Sequence, residues 1–127
     1  MDVSSSITQA EFEKRKTFLG KFVAAFPVDE KRAHFALFHY NHNINIDFTF
    51  NNPDFYNVPA IQKAITRVPL LGGATLTQEA LKKAFELFFF GMHGARQNSR
   101  KVLLIVTDGY TYGGTTTLKL PTLELEV

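Results

Sequence analysis

Lys101-Val102-Leu103-Leu104-Ile105-Val106-Thr107-Asp108-Gly109 is the stretch that decides the fold. Five aliphatic residues in a row, three of them β-branched, lie between a lysine and an Asp-Gly pair. A run of this length and composition reads as a strand buried on both faces, the setting of a parallel sheet covered by helices. Asp108-Gly109 closes it as a turn. In open α/β sheets ligands bind beyond the C-terminal ends of the strands, so Asp108 stands at the edge where chemistry is expected.

Working back from that strand, residues 76 to 91 carry Ala80, Leu81, Ala84, Phe85 and Phe88 on one helical face. Gly91 and Gly94 can end this helix. Pro69 and Gly72-Gly73 mark a loop before it, and residues 59 to 67 form a short helix with Pro59 in its first turn. Further back, His34 to Tyr40 reads as a strand. Phe35 and Leu37 point one way, and Ala36, Phe38 and Tyr40 the other, so both faces are expected to be covered. Asn41-His42-Asn43 is a turn. Ile44, Ile46, Phe48 and Phe50 then alternate with polar residues, completing an antiparallel hairpin that ends at Asn51-Asn52-Pro53-Asp54. Residues 8 to 26 form the first helix. Thr8 and Glu11 match a capping box, and Phe12, Leu19, Phe22, Val23 and Phe26 share a face. Lys14, Arg15, Lys16 and Lys21 are expected to form its solvated side. Helix, hairpin, helix, helix, strand predicts an α/β fold: a Rossmann-like open sheet, mostly parallel with one antiparallel edge strand, flanked by helices.

Composition sets the bounds. A chain of 127 residues holds one domain at most, and 45 % hydrophobic with 20 % charged residues is ordinary globular usage. Thirteen phenylalanines supply enough apolar area to argue against disorder over most of the chain. A net charge of +2, with the cations spread over helical faces, does not point to nucleic acid or to an anionic membrane. No apolar run is long enough to span a bilayer. The absence of cysteine excludes disulfides and thiolate metal sites.

Asp2-Val3-Ser4-Ser5-Ser6 places one carboxylate and two hydroxyls on the same side of an extended segment just before the first helix. Such a hard-oxygen set of low charge suits Mg²⁺. Thr75 follows two glycines in the loop that approaches the same sheet edge, where glycine lets backbone come close to a site. Each piece alone has a simpler reading. The serine run can be a plain helix start, Thr75 an N-cap completed by Gln78, and Asp108-Gly109 a turn. Their joint placement on three loops at one edge favours a metal site. His34, His39, His42 and His93 lack zinc-ligand spacing, and no serine sits in a nucleophile elbow.

With DVSSSI, RAHFALFHY, LGGATLTQEAL and GARQNSRKVLLIVTDG in place, the sequence resembles a von Willebrand factor A-type domain with a metal-ion-dependent adhesion site. The likeness covers residues 2 to 109 and is greatest to the extracellular collagen, matrilin and integrin-α branch. It implies that Asp2, Ser4, Ser6, Thr75 and Asp108 hold the metal: Mg²⁺, with Mn²⁺ or Ca²⁺ as substitutes. It also implies an extracellular adhesion or matrix-binding module whose partner, collagen or another matrix protein, offers a Glu or Asp carboxylate. Neither catalysis nor membrane insertion is implied. Tyr110, Thr111 and Tyr112, two aromatics in a loop at the metal edge, are expected to touch the partner.

The chain departs from the family at both ends. Met1 alone precedes Asp2, where the family has a central strand, and residues 115 to 127 have no family likeness. The expectation is a partial domain over residues 1 to 114, marginally stable or dependent on a partner, with a tail that forms a short strand or is disordered. Two other readings stay open: an interaction fragment that no longer binds metal, and a Mg²⁺-dependent hydrolase, which lacks a P-loop and a general base.

Overall fold

The first helix starts where the capping box places it. In the computed structural model, which describes residues 1–5, 7–89 and 91–107, α1 spans Gln9–Ala24. The Glu11 N–H donates to the Thr8 hydroxyl at 3.3 Å, and the Thr8 N–H donates to the Glu11 carboxylate at 3.1 Å. These two bonds satisfy donors that a helix start otherwise leaves open. Phe12, Leu19 and Val23 are buried along one face. The helix stops two residues short of the expected 26 because Ala25 and Phe26 turn tightly, each N–H bonding three residues back, ahead of Pro27. Lys16 is one exception on the basic face, beside Arg15 with its buried Nη1. The Lys16 side chain is largely covered, with the ammonium 4.6 Å from the Phe12 ring centre and donating to Thr66 O at 3.0 Å.

Hairpin strands β1 (Leu37–Tyr40) and β2 (Ile44–Phe48) pair antiparallel, with Leu37 opposite Phe48 and Tyr40 opposite Ile44. The expected two-sided covering of β1 is present. Leu37 and Phe35 pack into the cluster formed by Phe12, Leu19, Ile61 and Ile65. By the pleat, Phe38 and Tyr40 lie on the other face, where the Tyr40 hydroxyl meets Thr77 at 3.5 Å. Helix α2 (Val58–Arg67) is capped by the Asn57 side chain and lies along α1. The Gln62 amide donates to Gly20 O at 3.1 Å across that contact. Helix α3 (Thr77–Phe89) buries Ala80, Ala84 and Leu87. Helices α1 and α2 thus cover one face of the hairpin and α3 begins on the other. No helix among the described residues is long and apolar enough to cross a membrane.

Met1 to Val3 run beside β1, joined to it by a single parallel β-bridge. The Met1 α-amine donates to Phe38 O, the Tyr40 N–H to Met1 O and the Val3 N–H to Tyr40 O, each at 2.9 Å, with Asp2 and Tyr40 bridged in parallel. On its far side the Asp2 N–H donates to Val106 O at 2.9 Å. One strand-width therefore separates β1 from residues 101 to 106, and Met1–Val3 fills only its upper end. Here the expectation of a buried strand over 101 to 107 needs correcting. The segment carries an alternating pattern, with Val102 and Leu104 exposed and Leu103 and Ile105 half-buried, but it joins no sheet ladder among the described residues. The reason is physical: over most of its length nothing described lies at hydrogen-bonding distance beside it, so its backbone has no ladder to enter.

Candidate metal centre

Asp2 is fully buried, and its carboxylate is held from two sides. Oδ1 accepts the Ser4 N–H at 2.9 Å, an Asx-type turn that folds the chain back over the acid. Oδ2 accepts the Thr107 hydroxyl at 2.8 Å, from 105 positions away in sequence. Together they fix the plane of the carboxylate and leave each oxygen a further lone pair. Ser4 is 1 % and Thr75 6 % exposed, so three of the five expected ligands are polar side chains under cover.

The loop bearing Thr75 is stitched to the Asp2 segment. The Gly72 N–H donates to Val3 O at 2.9 Å, and Gly73 O accepts both the Ser5 N–H at 3.1 Å and the Ser5 hydroxyl at 2.9 Å. Asn41, at the hairpin end, closes the arrangement from below. Its side-chain amide donates to Gly72 O at 3.0 Å, and its carbonyl accepts the Leu76 N–H at 3.0 Å. The first turn of α3 bonds the Ala80 N–H to Leu76 O. The cap position is therefore Leu76, and the simple N-cap reading of Thr75 does not hold.

Gly73 is the tightest point of this loop. Its φ is +82°, and a β-carbon there would lie 2.8 Å from His42 Nδ1. The exposed His42 ring can swing aside, so the larger cost of Gly73→Ala is the left-handed backbone, about 1–2 kcal/mol. We expect this variant to lower the urea midpoint accordingly. Any site built on Thr75 should weaken with it, because Gly73 O is the anchor that ties the loop to Ser5.

Electrostatics favours a cation beside Asp2. No Lys or Arg side chain pairs with Asp2 among the described ion pairs. The Met1 α-amine is near enough to feel Asp2, yet burial pushes its pKa down to about 5, so it is neutral at physiological pH. A buried carboxylate without a countercharge is costly. A divalent cation held by Asp2 and neighbouring hydroxyls would remove that cost, and the hard-oxygen donor set fits one. Among the described residues there is no group of three or more His, Cys, Asp or Glu placed to hold a metal ion.

Ser6, Asp108, Tyr110, Thr111 and Tyr112 lie outside the described residues, as does the tail from 115 to 127. Asp2, Ser4 and Thr75 are brought to one edge by bonded loops. Two residues there carried no sequence signal of their role. Thr107 read as the last residue of a strand, and Asn41 as a turn residue.

Comparison with known proteins agrees with this architecture. The family model described as von Willebrand factor type A domain matches residues 1–126. Integrin alpha-M of Mus musculus is 32 % identical over 113 residues, which cover 89 % of this chain and 10 % of that protein. Matrilin-3 of Gallus gallus is 30 % identical over 112 residues, 86 % of this chain and 24 % of its own length. Proximal thread matrix protein 1 from the mussel byssus superposes with a TM-score of 0.78 at 27 % identity, over 91 % of this chain and 30 % of that one. A second structure of that protein, described as having a zinc-occupied MIDAS motif, matches with the same TM-score at 26 % identity. The chain spans a quarter or less of the length of the two named relatives and under a third of the byssus protein.

Proposed function

We infer function from one premise: the chain belongs to the von Willebrand factor type A domain family. On that premise we propose that it binds another protein through a divalent cation, Mg²⁺ in the first instance, held by Asp2, Ser4, Ser6, Thr75 and Asp108. The observation that carries this reading is Asp2, buried, hydrogen-bonded by Ser4 N–H and Thr107 Oγ1, and without a cationic side chain to balance it. The integrin and matrilin relatives and the byssus matrix protein support an adhesion or matrix role outside the cell. The partner is a protein offering a Glu or Asp carboxylate, with collagen one candidate, and the chain carries out no catalysis.

Each residue has a task in this account. Asp2 supplies the buried negative charge, and Thr107 and the Ser4 N–H keep its carboxylate from rotating. Ser4, Ser6 and Thr75 add neutral oxygens that raise the ligand count without raising the charge. When bound, the cation supplies net positive charge at the surface, which an incoming carboxylate meets with a charge-assisted bond. Ser5, pinned to Gly73 O, holds the first and second loops in register so that the hydroxyls converge. Tyr110, Thr111 and Tyr112 would then meet the partner's flanking residues.

Calorimetric titration of the chain with MgCl₂ tests the ligand set. The expected result is a saturable heat for the native chain and none for Asp108→Ala. Equal heats for the two would remove Asp108 from the site and with it the adhesion reading.

A further inference from the structure

The loop that carries Thr75 owes its position to residues outside it. Gly72 and Gly73, just ahead of Thr75, have φ of +71° and +82°. Two adjacent glycines give this approach unusual backbone freedom, so the loop needs external ties to hold one shape. On one side Val3 O and Ser5 supply them. On the other side they come from a single residue, Asn41, in the turn between β1 and β2.

Asn41 grips the loop on both flanks of Thr75. Its side-chain N–H donates to Gly72 O at 3.0 Å, and its main-chain carbonyl accepts the Leu76 N–H at 3.0 Å. The grip is itself braced. Asn41 Oδ1 accepts the Asn43 N–H at 2.9 Å, and the Asn41 N–H donates to Asn43 O at 3.0 Å. Both ends of the side-chain amide are thus committed, in a residue only 5 % exposed. The position calls for an acceptor toward Asn43 and a donor toward Gly72. Asparagine has both, and aspartate lacks the donor.

The turn contributes none of the five expected ligands, yet it governs where one of them lies. That control matters more for one cation than for another. Mg²⁺ demands near-octahedral oxygens at about 2.0–2.1 Å, whereas Ca²⁺ accepts roughly six to eight oxygens at about 2.3–2.6 Å in flexible geometry. A hydroxyl fixed in advance favours the stricter ion. A loose one leaves the more tolerant ion little worse off.

Resting on the metal reading above, we propose that Asn41 is a positioning residue: it fixes the reach of Thr75 and so gives the site its preference for Mg²⁺ over Ca²⁺. Asn41→Asp separates positioning from charge. Aspartate keeps the shape and the acceptor for the Asn43 N–H, but it turns an oxygen toward Gly72 O and the grip opens. It also brings a negative charge to the Thr75 loop. Charge alone would tighten both cations, whereas lost positioning weakens Mg²⁺.

Calorimetric titration of the full chain with MgCl₂ and with CaCl₂ reads the difference. Mg²⁺ affinity is expected to fall at least ~10-fold in Asn41→Asp, the scale on which partners of metal ligands act. Ca²⁺ affinity should hold or rise, so the Mg²⁺/Ca²⁺ ratio falls by at least the same factor. A merely structural role would weaken both ions together and leave the ratio in place. The native chain supplies a second measurement that does not depend on the variant folding. A cation bound through Thr75 holds the grip shut, so saturating Mg²⁺ should slow hydrogen exchange severalfold at Leu76 and at Asn43. The Asn52 N–H, bonded to Thr49 O beyond the other end of β2, should not change. An Asn41→Asp ratio equal to or above the native one, or unchanged exchange at Asn43, overturns the proposal and leaves the metal centre standing. No saturable Mg²⁺ heat in the native chain overturns the metal reading itself, and this inference with it.

Discussion

Replacing Asp2 by asparagine is expected to cut Mg²⁺ affinity at least ~100-fold, about 2.7 kcal/mol, while leaving the metal-free fold in place. The variant has the same shape, and its side-chain carbonyl still accepts the Ser4 N–H. The Thr107 hydroxyl can rotate to accept from the new amide instead of donating. Two terms oppose each other in the metal-free state. Losing charge assistance in two hydrogen bonds destabilises, and removing a buried charge that no cationic side chain balances stabilises. These are of similar size, so the net change without metal should stay within about 1 kcal/mol. With Mg²⁺ present there is no such cancellation, because asparagine brings no negative charge to the cation. Thermal unfolding with and without 5 mM Mg²⁺, roughly a saturating level for a site of this class, separates the cases. The native chain should gain stability on adding metal and Asp2→Asn should not. An equal gain in both would contradict the role given to Asp2.

The second large effect concerns the Met1 α-amine. Burial pushes its pKa from 8.0 down to about 5, against the raising influence of Asp2 and Asp47. A neutral amine still donates to Phe38 O, so the geometry is kept. The charged form is favoured less in the folded chain than in the unfolded one. Above pH 8 both states hold a neutral amine, and this group costs nothing. Between pH 8 and about 5 the unfolded chain is protonated and the folded chain is not, so stability falls as pH falls. Below about 5 both are protonated, and the loss levels off at about 4 kcal/mol. Acetylation of the amine keeps an N–H for Phe38 O and removes the titration. Urea midpoints of the free and acetylated chains, measured from pH 5 to 9 in EDTA, should agree at the alkaline end and diverge steadily toward pH 5. Parallel profiles would show that the amine is solvated rather than buried.

Legibility in the sequence followed the range of the interactions. The start of α1 depended on Thr8 and Glu11, three positions apart, and could be read directly. So could the two faces of β1, since alternation of Phe35 and Leu37 with Phe38 and Tyr40 is a local property of an extended chain. Grouping of Asp2, Ser4 and Thr75 at one edge came from loop order and from family likeness together. Long-range polar contacts were hidden. Nothing near Thr107 signals that its hydroxyl lies on Asp2, and nothing in Asn41-His42-Asn43 separates a plain turn from a residue whose side chain ties Gly72 down. The run Val102 to Val106 was read as a strand buried on both faces, but Val102 and Leu104 are exposed, and its hydrogen bonding depends on what lies beside it.

Mn²⁺ titration followed by amide NMR tests the central claim most directly, because paramagnetic broadening marks residues within about 10–15 Å of the ion by position rather than by affinity, and Mn²⁺ takes the same oxygen ligands as Mg²⁺. The account predicts that substoichiometric Mn²⁺ first erases the amide signals of Ser4, Ser5, Gly73, Thr75 and Thr107, and that excess Mg²⁺ restores them. Broadening centred instead on Asp47 and Asp54, or none that Mg²⁺ can reverse, would contradict it.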